Sequence, residues 1–207
     1  MPRNSLLTSF TVFFSLLVLT GSAWAGTKIK VVEGDLSLMS PGQSIGLVFD
    51  YSNMTVGKRS EADYVAEKVA EKNEKEEGKG EEWKAAWEGN RESRFHPKFV
   101  ALLSKGLGKR DMAVSLGSEG VDIIATVEVT RTEPGFYSYV VNQPSYVDFV
   151  VTFAAASAPD VVLAQVTVKN AEGESPMGPS PDSASRIQES YAKGAKDLAK
   201  VMAKKIK

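Results

Sequence analysis

One histidine and no cysteine bound the chemistry open to this 207-residue chain. Any Ser-His-Asp relay or histidine-based metal site would have to use His96. A relay needs the imidazole between a nucleophile and a carboxylate, and neither Ser93 nor Ser104 stands in anything like a nucleophile elbow. Zinc usually takes three protein ligands, and one histidine among scattered carboxylates is a poor set. His96 precedes Pro97, a residue suited to the first turn of a helix, so a capping or surface place is expected for it. Thiol nucleophiles, disulfides and cysteine-based metal sites go with the missing cysteine. Carboxylates such as Glu128 or Asp148 are left as the only basis for a hydrolase. The expectation is no catalytic residue, no metal and no cofactor.

The residues that could bind something fall in four places. Trp83 and Trp87 are four apart and so share a helix face. They could stack on a sugar or peptide, although packing of that helix on the sheet is the favoured reading. Arg91, Arg94 and Lys98 follow helical spacing and could hold an anionic group. Salt bridging to Glu88, Glu92 or the acidic run before them is favoured instead. Arg186 falls in the first turn of the last helix, where a cation opposes the helix dipole. Such a charge points to a partner, either a buried carboxylate or a ligand. Phe136, Tyr137, Tyr139 and Tyr146 gather around the Pro134-Gly135 turn. They form either a binding surface or a cap on the end of the sheet.

The elements that carry these residues can be read from periodicity. Short strands are expected at 29–32 and 36–38, and a buried strand at 45–51. Ser60, with Asp63 three residues on, opens a helix close to a capping box. That helix carries Val65 and Val69 and ends in the charged run before Gly78. A second helix begins near Glu81, and a third runs from Pro97 until Gly106 and Gly108 end it. Val121, Ile123, Ala125, Val127 and Val129 then alternate with more polar residues, which is the period of a strand. Further alternating sets at 147–153 and 162–168 make an antiparallel meander. Residues 170–182 are a loop without phosphate-loop spacing. Ser183 should cap a long last helix whose stripe is Ile187, Tyr191, Ala195, Leu198 and Met202. Gly194 beside that stripe permits close approach to the sheet. The fold expected is α+β: a largely antiparallel mixed sheet with helices packed on one face and a long C-terminal helix.

Residues 1–25 have the three parts of an export signal. Arg3 gives the positive start, 6–19 are apolar, and Ala23 and Ala25 are the small residues before a cut. Residues 26–207 are then one domain, periplasmic or extracellular. A lipid anchor would need a cysteine, and no later stretch is apolar enough to span a bilayer. The chain carries 25 Lys and Arg against 26 Asp and Glu, a formal net charge of −1. The signs are mixed along it, so neither nucleic acid nor an anionic membrane is an expected partner.

Several phrases resemble an uncharacterised family of exported proteins of Bacteroides-like bacteria. They are GDLSLM (34–39), VFDYSNMTVG (48–57), EADYVAEKVAEKN (61–73), TRTEPGFY (130–137) and SRIQESYAKGAKDLAK (185–200). By architecture alone, the chain is also similar to envelope auxiliary domains. These are the penicillin-binding-protein activator lipoproteins and the N-terminal domain of the Tol propeller protein. The resemblance implies an envelope protein and no particular activity. The function expected is a non-catalytic interaction or assembly-accessory role with another envelope protein. The alternative is a small-molecule or glycan binder using the aromatic residues.

Overall fold

A computed structural model of the chain describes residues 26–138, 140–173, 180 and 182–207. The segment read as an export signal, Tyr139 and most of the loop before the last helix lie outside the described residues.

Period-two alternation builds the sheet. In β6 (Ile123–Glu133) the side chains of Ile123, Ala125, Val127 and Val129 are buried, and those between them are not. β9 (Ser145–Ala155) buries Val147, Phe149, Val151 and Phe153 on the same face, and β10 (Ala158–Gly173) buries Ala164, Val166 and Val168. These three strands form the expected antiparallel meander. β1 (Lys28–Gly34) adds antiparallel to β10. On the far side of β6, β2 (Ser44–Asp50) runs parallel to it, and β5 (Ala113–Leu116) runs parallel to β2. The order is β1-β10-β9-β6-β2-β5, with the short β3 (Thr55–Val56) bridging β6 and β4 (Arg59–Ser60). The sheet is therefore mixed and largely antiparallel.

Residues 36–38 are a single 3-10 turn, not the expected strand. The Asp35 side chain accepts the Ser37 N–H at 2.9 Å and turns the chain there.

α1 (Glu61–Asn73) starts as its sequence predicts: the Ser60 hydroxyl oxygen accepts the Asp63 N–H at 3.1 Å. α2 (Lys79–Asn90) packs back on α1. It does not stop before α3 (His96–Leu107). The two are joined by a wide π turn, Arg91–Phe95, in which the His96 N–H bonds the Arg91 carbonyl. Pro97 follows directly and has no N–H to give. The widened turn sits where a regular helix would have lost a donor.

α4 (Ser183–Lys205) is capped by Asp182, not by Ser183. The carboxylate accepts the N–H of Ala184 at 3.0 Å and of Ser185 at 3.1 Å. α3 and α4 lie side by side on one face of the sheet. Between them and the strands, Phe99, Leu103, Ile187, Tyr191 and Leu198 are almost wholly buried. Each such side chain contributes about 1.5–3 kcal/mol relative to exposure. Gly194 works as its sequence position predicts: a Cβ there would lie 2.7 Å from Phe149 Cε2. α3 ends where expected, with Gly106 in its last turn and Gly108 as its C-cap, and a Cβ on Gly106 would collide with Ala199 of α4. The opposite face of the sheet carries Val48, Thr126, Thr152 and Thr167, none of them buried.

Candidate functional site

The π turn sends the basic residues of the α2–α3 junction in different directions. Arg91 turns back to α1, where it pairs with Glu61 and lies 4.0 Å from the centroid of the Tyr51 ring. Trp87 Nε1 donates to the same Glu61 carboxylate at 2.6 Å. Arg94 turns to the start of α4, donating to Asp182 at 3.1 Å and to the Ser185 hydroxyl at 2.9 Å. Lys98 pairs with Glu189 at 3.1 Å. These cations are engaged in salt bridges, but with Glu61, Asp182 and Glu189 in place of the expected Glu88 and Glu92. They do not converge on one anion site.

His96 has neither the capping nor the surface place expected of it. It is half-buried, its side chain caps no helix, and it stacks on Phe49 with ring centroids 4.0 Å apart and planes 8° from parallel. Its Nε2 is 2.9 Å from the Tyr51 hydroxyl, which in turn lies 3.0 Å from the Tyr191 hydroxyl. Burial, then the nearby Arg91 charge, pulls the His96 pKa down to about 4. Burial pushes both tyrosine hydroxyls up, so they stay protonated. The imidazole is therefore neutral at ordinary pH, with a nitrogen free to accept from Tyr51. The space among Tyr51, Trp87, Arg91 and Tyr191 is about 10 Å³, room for one water molecule at most. This is a hydrogen-bonded set that locks helices to β2.

Trp83 and Trp87 stack on one another at 5.6 Å, and Tyr64 of α1 packs against both at 6.0 and 5.4 Å. The pair joins α2 to α1. Trp87 also packs against the edge of the hydrophobic core, in keeping with the favoured packing reading. The outer side of Trp83 borders a shallow groove with Lys72, Lys75 and Lys79.

A second group forms just past the C-terminal end of β6. After β6, Pro134 and Gly135 lead into a hairpin of β7 (Phe136–Tyr137) and β8 (Asn142–Gln143). Gly135 has φ +63°, and a Cβ there would collide with the carbonyl oxygens of Gln143 and Pro144. Arg186, only 6% exposed, fixes this base. Its Nε donates to the Pro134 carbonyl at 3.2 Å, its Nη2 to the Gly135 carbonyl at 3.2 Å, and its Nη1 to the Ser180 carbonyl. Carbonyl oxygens, with the Asp182 charge nearby, thus answer the cation that opposes the dipole of α4. Burial lowers the Arg186 pKa. Underneath, the Ser145 and Ser190 hydroxyls meet at 2.8 Å.

Above that base the chain is apolar and exposed. Phe136 is 48% exposed, Val140 91% and Val141 54%, with Tyr137 also exposed. Ser138 closes the tip, its hydroxyl oxygen accepting the Val141 N–H at 2.9 Å. Residues 134–147 contain no charged side chain. Tyr146 is buried and does not belong to this surface, and Tyr139 lies outside the described residues. A cluster of this kind marks an interaction site more often than single exposed apolar residues do.

The structure thus brings Arg186 together with Phe136 and Tyr137, and Trp83 and Trp87 together with Arg91. Arg94 is linked to Arg186 through Asp182, which accepts from the one and lies beside the other. Sequence reasoning misses Tyr51, Glu61 and Tyr191 as members of the group around His96 and Arg91, and Val140 and Val141 as part of the hairpin tip. An uncharged run between two turn signals is the available sign of the latter.

Glu128 accepts from the Asn53 amide at 3.2 Å. Asp148 accepts from Arg131 at 3.0 and 3.1 Å and from the Asn170 N–H at 2.7 Å. Among the described residues no group of three or more His, Asp or Glu side chains could hold a metal ion. No helix among them is long and apolar enough to cross a membrane.

No protein-family model matches the chain. No curated protein matches it either. Among solved structures, the PelC dodecamer from Paraburkholderia phytofirmans is similar at 14% identity and a TM-score of 0.40, over 83% of this chain and 96% of that one. A variant of the same dodecamer gives 13% identity and a TM-score of 0.41 over the same shares.

Proposed function

We propose that this chain is an exported, non-catalytic interaction module of the cell envelope, and that its contact with another envelope protein is the hairpin of residues 136–143. One observation carries the reading: an uncharged, apolar tip stands in solvent on a base that a buried arginine holds in place. An exposed apolar cluster costs solubility, and a rigid mount lowers the entropy lost when such a cluster docks. The export signal in the sequence favours the envelope as the place where the partner is met. The only histidine is kept neutral and is occupied by Tyr51 and Phe49, which gives an enzymatic role no support.

Mild crosslinking in cells, followed by affinity purification, tests it. The wild type should retain one defined envelope protein at native expression. The double variant F136S/V140D should lose it while keeping the same thermal unfolding midpoint. Equal capture by both forms would remove the hairpin from the reading.

A further inference from the structure

The two tryptophans of α2 do not serve the same purpose. Trp87 packs against the edge of the hydrophobic core and gives its Nε1 proton to Glu61. Trp83 is not among the side chains packed on that core. Its support comes from Trp87 and Tyr64, at 5.6 and 6.0 Å between ring centroids. The rest of its indole forms one wall of an open groove of about 470 Å³. The other walls are Lys72 in the last turn of α1, Lys75 and Glu76 in the connecting turn, and Lys79 and Glu82 at the start of α2.

The cations of this groove are not equally committed. Lys75 pairs with Glu71 at 3.2 Å, and Lys79 with Glu82 at 2.9 Å. These side chains stand well out in solvent, where ion pairs are weak enough for another carboxylate to exchange into them. Lys72 has no carboxylate partner among the described residues, and its ammonium lies 6.0 Å from the centroid of the Trp83 ring. An aromatic wall beside an uncommitted ammonium matches a ligand with a flat, apolar face and a negative charge at its rim. A pyranose that carries a carboxylate has both. The C–H groups on one side of its ring are slightly positive and fit the negative face of an indole. The shape of the groove bears on the ligand as well. Sites for free small molecules enclose most of the ligand. A shallow, open groove instead suits one unit of a longer chain, with Lys75 and Lys79 beside the neighbouring units.

We propose that this groove binds an acidic glycan, with a sugar ring on the indole of Trp83 and its carboxylate on Lys72. The inference is independent of the hairpin contact, since the groove and residues 136–143 share no side chain. With a formal net charge of −1, the chain has no general attraction for polyanions. Binding is therefore local to this groove. It is weak for a single sugar and weakens further with salt, because the ammonium–carboxylate contact lies in solvent.

Titration of the purified protein with oligogalacturonate tests this, read by calorimetry and by the indole N–H resonance of Trp83 in NMR. Loss of that resonance in Trp83→Leu assigns it. The fully methyl-esterified oligomer is the control, with the same rings and no charge. The acid form should shift the Trp83 resonance and leave that of Trp87, which is held by Glu61, almost unmoved. Esterification should weaken binding about tenfold or more, as expected for one lost charged hydrogen bond. Lys72→Gln, which keeps the stem of the side chain, should weaken the acid form by the same factor and leave the ester unaffected. Trp83→Leu should abolish binding of both. No shift of the Trp83 resonance at about 10 mM oligomer, well above a millimolar affinity, would overturn the inference. So would equal binding of acid and ester, or a Lys72→Gln protein that binds as wild type does. Tripolyphosphate bound as tightly as oligogalacturonate would also overturn it, since charge alone would then suffice.

Discussion

Arg186 donates from Nη2 to the Gly135 carbonyl at 3.2 Å, across 51 residues of sequence. This bond joins the first turn of the last helix to the base of the exposed hairpin. A cation at that helix position is unfavourable by itself, and it is held there by carbonyl oxygens that turn toward it. Arg186 is thus a positioning residue for residues 136–143 and does not itself reach a partner.

Replacing Arg186 should loosen the hairpin before anything else. Arg186→Met leaves three carbonyls without their donor and is expected to cost about 2–3 kcal/mol, given about 1–3 kcal/mol for an unsatisfied buried group. Hydrogen exchange should quicken at 135–143 and at the start of α4, while β6 and β9 stay protected. Uniform loss of protection across the sheet would contradict a local positioning role.

The α4–sheet contact should be intolerant of a single methyl group. Gly194→Ala gains up to about 1 kcal/mol of helix propensity. It also drives a Cβ to 2.7 Å from Cε2 of the fully buried Phe149. Overpacking of that kind costs about 1–3 kcal/mol, so the net effect in urea unfolding should be a loss. A Gly194→Ala variant more stable than wild type would show that Phe149 has room to move.

His96 makes stability depend on pH in a definite direction. Its folded pKa is about 4, below the ordinary 6.5. Between those values the unfolded chain binds the extra proton. This contribution is therefore complete above pH 6.5 and is lost as pH falls toward 4. The carboxylates Asp182 and Asp197, also lowered, act further down, below their ordinary 3.8. From pH 7.5 to 5, the urea midpoint should fall more for wild type than for His96→Gln. Identical slopes would mean that the imidazole is not kept neutral.

Much of this architecture can be read from the chain, and what is hidden has physical reasons. The alternation at 121–130 becomes β6 because each inward residue is apolar and each outward one tolerates water. Gly194 stands out because a bare position beside an apolar helix stripe has few other uses. β5 is not legible: four residues, Ala113–Leu116, carry no clear period and pair only with a parallel strand far back in sequence. The π turn is hidden as well. Pro97 reads as the start of a helix, whereas here it follows a turn that absorbs its missing donor. The set of Tyr51, His96 and Tyr191 spans 140 residues, and no local spacing links its members. The aromatic cluster near 136 is visible as a group, but only folding separates exposed Phe136 and Tyr137 from buried Tyr146.

The central claim is that the hairpin tip touches a partner, and a photocrosslinking side chain placed at Val140 tests it most directly. Val161 is also exposed and apolar, at 59%, but lies on β10 away from the hairpin, and serves as the control position. Irradiated in living cells, the probe at 140 should give one discrete adduct with an envelope protein, and the probe at 161 should not. No adduct from position 140, or the same adduct from both positions, would contradict the account.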